Sequence, residues 1–140
     1  MRALLIIGMA LMLTASAPAA VVQARLIRAS NDREGHDAQL KEIEPKLAKK
    51  FGYKFYHQLG GARAALPSGR MQRLDLGEGF VLFATAQGEA KKEHILDMEW
   101  YSGKALLVRS TVKIATDGHL FIKGPEVGND WIVLAVSIHE

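Results

Sequence analysis

The chain is 140 residues long, 49% hydrophobic and 24% charged, with a formal charge of +3. That length holds one compact domain rather than two, and so small a charge gives no electrostatic grip on nucleic acid. It contains no cysteine, which excludes disulfides, thiolate metal sites, cysteine nucleophiles and acylation at a lipoprotein cysteine.

Met1 and Arg2 make a positive start, Ala3 to Leu13 is an unbroken apolar run, and small residues follow from Thr14 to Ala20. This is the layout of a secretory signal peptide. As a helix the apolar run would rise about 16 Å, roughly half a hydrocarbon core, too little for a retained anchor. Ala17-Pro18-Ala19 supplies an A-x-A cleavage pattern. The expectation is that residues 1–19 are removed and that one domain, 20–140, starts at Ala20 in the periplasm or the medium. Ala24 offers a second cut, inside what reads as a strand. No later apolar stretch approaches the ~20 residues of a membrane span.

Val21 to Arg28 is β-branched and apolar and reads as a first strand. A polar loop with Ser30-Asn31-Asp32 and Gly35 comes next. Leu40, Ile43, Leu47 and Phe51 then form a helical stripe, with Asp37 suited to the N-cap. Pro45 falls inside the stripe and would cost an interior helix its hydrogen bond. The pattern therefore predicts a helical turn over Asp37–Ile43 and a second helix with Pro45 at its first position, stopped by Gly52.

From Tyr53 the period changes from 3.6 to 2. Tyr53, Phe55, His57 and Leu59 alternate with polar neighbours. Further strands are expected at Met71–Leu76, Phe80–Ala86, His94–Tyr101, Ala105–Ile114, Leu120–Lys123 and Trp131–Ile138. Glycine-bearing turn signals separate them: Gly60-Gly61, Pro67-Ser68-Gly69, Gly77-Glu78-Gly79, Gln87-Gly88, Ser102-Gly103 and Asp117-Gly118. Ser102-Gly103 and Asp117-Gly118 read as two-residue hairpin turns. Leu96, Met98 and Trp100 oppose Asp97, Glu99 and Tyr101, and Leu106, Val108, Val112 and Ile114 oppose Leu107, Arg109, Thr111 and Lys113. One dry and one wet face suit an antiparallel sheet. Trp131–Ile138 is apolar on both faces and is placed centrally under the helix. The expected fold class is α+β: a meander-rich antiparallel sheet of about six to eight strands, with one short, proline-broken helix near the mature N-terminus packed on it.

Chemistry is harder to find. His36, His57, His94, His119 and His139 show neither H-x-H nor H-E-x-x-H spacing, so no metal site is expected. There is no G-x-S-x-G elbow and no S-x-x-K. Ser30, Ser68, Ser102, Ser110 and Ser137 are explained by turn or strand contexts. Asp97 and Glu99 lie at i and i+2 on one strand face, the pattern of a solvated surface rather than a catalytic pair. Gly77-Glu78-Gly79 and the Gly124–Asp130 segment lack the helix N-terminus that a phosphate loop needs. The second reads as a proline-stiffened loop leading into the last strand. Neither Lys50–Tyr56 nor Glu78–Phe83 keeps the order of an RNA-recognition strand. No catalytic residue, no cofactor and no nucleic-acid partner is expected.

Three stretches carry a resemblance: Arg25–Asn31, Ile43-Glu44-Pro45-Lys46-Leu47 running into Phe51–Tyr56, and Gly124–Gly128 entering Trp131–Ile138. Together they resemble an uncharacterised family of small exported bacterial envelope proteins. The likeness covers most of the mature chain but consists of core and turn residues. It implies an α+β envelope domain with no assigned chemistry. The expected function is that of an exported, non-catalytic interaction or assembly module whose partner is another envelope or secreted protein, since a sheet edge can accept a partner strand. The alternative is a small-ligand or glycan binder using exposed aromatics. Either way the candidate surface residues are Tyr53, Tyr56, Trp100 and Tyr101. An enzyme ranks behind both.

Overall fold

The computed structural model describes residues 20–90 and 92–140. The expected signal peptide, residues 1–19, lies outside them. β1 (Ala20–Ser30) is followed by a 3-10 turn (Ala38–Leu40) and α1 (Glu44–Phe51). The later strands are β2 (Phe55–Leu66), β3 (Met71–Gly77), β4 (Phe80–Ala90), β5 (Glu93–Ser102), β6 (Ala105–Ala115), β7 (His119–Val127) and β8 (Asp130–His139). No helix among the described residues is long and apolar enough to cross a membrane.

The strands form two four-stranded antiparallel sheets, ordered β2-β1-β8-β7 (sheet A) and β3-β4-β5-β6 (sheet B). Of the described residues 67% are in strands and 9% are helical. This corrects the α+β expectation: the fold is mostly β, and the short helix covers part of one sheet. Alternation identifies strands but is blind to how they divide between layers, and here the second layer is another sheet. Each strand lies beside its neighbours in sequence, and β8 returns to β1. The arrangement is a flattened eight-stranded up-and-down barrel, without ladder hydrogen bonds at two seams, β2/β3 and β6/β7.

The two sheets close on a common core. Leu26, Leu74, Leu82, Met98, Trp100 and Leu134 are buried there, from five different strands. The far side of sheet A holds a second core under the helix, built from Ile27, Leu40, Ile43, Leu47, Tyr56 and Val133. β8 serves both. Ile132, Leu134, Val136 and Ile138 enter the first core, and Val133 and Ala135 the second. Its hydrogen bonds to both β1 and β7 make it central, which explains a run apolar on both faces.

The helical segment is broken at the proline as the sequence requires. The 3-10 turn is capped by Asp37, whose carboxylate accepts the Gln39 amide at 3.0 Å. Pro45 sits in the first turn of α1, where no intrahelical donor is lost, and Gly52 ends the helix in the left-handed region at φ 77°.

Several turn assignments change. Gly60-Gly61, Gln87-Gly88 and Gly124-Pro125 are not turns or loops but lie inside β2, β4 and β7 at register shifts. Glycine there marks a bulge or a close approach rather than a reversal. A Cβ on Gly60 would stand 1.9 Å from the Leu76 carbonyl oxygen, so the β2/β3 seam is backbone against backbone. Asp117-Gly118 joins β6 of one sheet to β7 of the other and is no hairpin. The β5–β6 hairpin turns on Gly103-Lys104, one residue later than expected. A register shift there also turns Leu106 to the open face, opposite Tyr101 and 43% exposed, instead of into the core.

Candidate functional site

The four aromatics singled out from the sequence do not form one surface: Tyr53 and Tyr56 meet beside α1, and Trp100 and Tyr101 lie on β5 of the other sheet. Tyr56 is wholly buried between α1 and sheet A, where its hydroxyl donates to the Leu47 carbonyl at 3.0 Å and accepts the Tyr53 amide at 3.2 Å. Burial pushes its phenol above the usual range. Tyr53 packs at the edge of the same layer, its ring 5.6 Å from the Lys123 ammonium. Trp100 is buried in the inter-sheet core, 5.8 Å from the Phe80 ring. Tyr101 alone looks outward from sheet B, half-buried. Strand parity sends Trp100 and Tyr101 to opposite faces, so no surface could have held both.

The structure instead leaves one broad face uncovered. Helix α1 caps part of sheet A, but among the described residues no element lies over the outside of sheet B. Cross-strand register sets the residues of that face in rows: Arg73–Phe83–Glu99–Arg109, and Met71–Thr85–Asp97–Thr111 beside it. Phe83 and Tyr101 meet edge to face at 5.7 Å, and the Arg73 guanidinium stands 6.0 Å from the Phe83 ring. The Tyr101 hydroxyl donates to Glu99 at 2.9 Å, and Arg109 pairs with the other Glu99 oxygen at 3.2 Å. Thr111 donates to Asp97 at 2.6 Å, and Gln87 donates to its second oxygen. These bonds satisfy both carboxylates within the sheet surface. Two solvent-open hollows of about 420 Å³ lie on sheet B, one against Phe83 and Tyr101, the other against Asp97, Glu99 and Arg109. Met71, 62% exposed, and Leu106 flank the face. The sequence signal for it was present in the outward parity of β5, but Phe83 was missed because its strand alternates apolar residues on both sides.

A second polar group gathers at the end of sheet A. Ser137 Oγ lies 3.1 Å from His139 Nε2, and His139 Nδ1 lies 3.0 Å from Asp117 Oδ1. The connectivity is that of a nucleophile, base and orienting acid. The surroundings differ from a hydrolase site. Ser137 is only 5% exposed and stands inside both β8 ladders, opposite Gln23 and His119. Its neighbouring amides point along those ladders rather than converging as an oxyanion hole. Nearby, buried His94 reaches Thr116 at 3.0 Å and Glu140 at 3.2 Å, and the Asp117 amide donates to the Ile138 carbonyl at 2.8 Å. The group pins the β6–β7 crossover to the end of β8. No cluster of three or more His, Asp or Glu side chains with metal-binding placement occurs among the described residues.

Comparison with known proteins finds no matching family model, no matching curated protein and no matching solved structure.

Proposed function

We propose that this is an exported interaction module, which binds another envelope or secreted protein through the open face of sheet B. The observation that carries the reading is the asymmetry of the two outer faces. Apart from Trp131, which lies against the Lys123 ammonium, sheet A packs its buried outer apolar residues under α1, whereas sheet B presents Phe83, Tyr101, Met71 and Leu106 with no described element over them. Half-buried aromatic rings beside the exposed Met71 and Leu106, ringed by Arg, Asp and Glu, have the composition of a protein-binding patch. A glycan platform is less well served. The Phe83 and Tyr101 rings are 90° apart and share no common stacking plane.

The export half of the reading rests on the Met1–Ala19 pattern. It is checked by the intact mass of protein recovered from periplasm or medium, which should begin at or near Ala20. A recovered species that still carries Met1–Leu13 overturns it. For the binding half, a photo-cross-linking residue at Thr85, in the middle of the open face, should trap a defined envelope protein. The same residue at Lys49 on the outer side of α1 should not. Equal adducts from both positions, or none from Thr85, would refute the assignment.

A further inference from the structure

The two seams of the barrel are unlike. At β2/β3 the backbones touch, as the Gly60–Leu76 approach shows, and the edge residues Leu74 and Leu76 are buried. At β6/β7 there is no ladder, and the inward residues of β6 are poorly covered: Val108 and Val112 are half-buried and Ser110 is exposed. Across the gap, Leu120 and Ile122 of β7 are also only partly buried against the core. The edge of β6 therefore offers unpaired backbone donors and acceptors beside a strip of unfinished apolar surface. From Val108 to Ala115 it is straight, in unbroken register with β5, and free of proline. The facing edge of β7 is interrupted by its Gly124-Pro125 bulge.

Charge selects the occupant. Outward residues of β6 include Arg109, already paired with Glu99 of β5 at 3.2 Å, and Lys113, and β6 itself carries no carboxylate. Lys123 stands on the outward side of β7. Among the described residues Lys113 has no ion-pair partner. Like charges guard an edge strand against unwanted pairing, and the same charges favour a strand of opposite sign, because cross-strand ion pairs stabilise and like pairs repel.

We propose that the free edge of β6 accepts an extended acidic segment of the partner protein as a fifth strand of sheet B, its alternate apolar side chains covering Val108 and Val112 and its carboxylates facing Arg109 and Lys113. This rests on the reading of sheet B as the binding surface and names the chemistry of what binds there.

The test uses the 20–140 chain and a synthetic peptide as long as the Val108–Ala115 run, alternating valine with glutamate, with a valine–lysine peptide as control. The glutamate peptide should bind, and amide hydrogen exchange over Val108–Ala115 should slow in its presence. The lysine peptide should do neither. The Arg109→Gln/Lys113→Glu double variant, checked by its thermal melt, should weaken the glutamate peptide about tenfold. Protection elsewhere, equal binding of both peptides, or no binding overturns the proposal. So does a dimer of the free chain in which β6 is already protected, since a second copy would then be the occupant. If Thr85 still traps a partner while β6 stays unprotected, the binding face stands and the strand addition falls.

Discussion

Gly124 is defined by the ring that sits on it. A Cβ there would stand 2.3 Å from the Trp100 ring, which crosses from sheet B to reach sheet A at this point. Gly124→Ala should therefore cost about 1–3 kcal/mol by overpacking, read as a lower midpoint in a denaturant melt. An unchanged midpoint would mean that the indole has room to move. Two titratable groups bear on stability in the same direction. The Ser30 hydroxyl and then the Arg28 guanidinium, 2.6 Å away, hold the Asp130 carboxyl below the usual range against the burial that would raise it. Its contribution is present above the ordinary aspartate value and disappears as pH falls through the lowered one. Burial, with help from Lys46, Arg25 and His139, holds His119 below the ordinary histidine value of about 6.5. The fold therefore prefers the neutral ring, and this contribution is complete above that value and fades as pH drops below it. Melting temperature should fall between pH 7 and pH 5, and His119→Gln should flatten that slope. Asp130→Asn should leave it intact but remove the loss seen at more acid pH.

At the scale of elements, α1 is held by burial rather than by its own length, since eight residues are too few for a stable isolated helix. Leu47 is fully buried against sheet A. Leu47→Asp places an unpaired charge there at a cost of several kcal/mol, against a typical total of about 5–15, and circular dichroism should show an unfolded chain. Strand β8 makes a sharper case. Val133 and Leu134 point into different cores, and both are fully buried. Aspartate at either position should destabilise the fold severely, and survival of one variant would show that one face is open. These elements were legible in the sequence. The double-sided apolar run of β8, the broken helix around Pro45 and the parity of β5 all correspond to the structure. What could not be read is where the chain changes sheet. Asp117-Gly118 looks like a hairpin turn, but whether β7 pairs with β6 depends on contacts far along the chain. Gly60 and Gly124 look like turns because glycine signals either a reversal or a close approach, and only the facing Leu76 and Trp100 tell the two apart. The candidate surface suffered likewise: aromatic residues at strand spacing are visible, but which of them lose their exposure depends on the second sheet.

For the whole molecule, the unequal seams predict unequal dynamics. Amides protected only by solvent-exposed hydrogen bonds exchange through local opening. Outer amides of β6 should exchange fastest among the strands and those of β1 and β8 slowest. Uniform protection around the barrel would contradict an open β6/β7 seam. Introducing a proline at Ser110 offers a complementary check. On a guarded edge it should be tolerated better than at a ladder position such as Leu134, because an edge residue has fewer bonds to lose.

The pairing of the first described strand with the last has a kinetic consequence. Arg28 and Asp130 are 102 positions apart and yet bonded, and Val21 stands opposite His139. The meander of sheet B can form from local hairpins, but sheet A cannot acquire its centre until the final strand has left the ribosome. Contacts of such long sequence separation carry a large loop-closure entropy and slow folding to the millisecond–second range typical of non-local β proteins. Until β8 arrives, β1 is an apolar strand with one edge unfilled, an invitation to aggregation. A chain shortened to end at Val127 should remain unfolded and associate through β1, and a separate peptide spanning Asp130–His139 should rescue it.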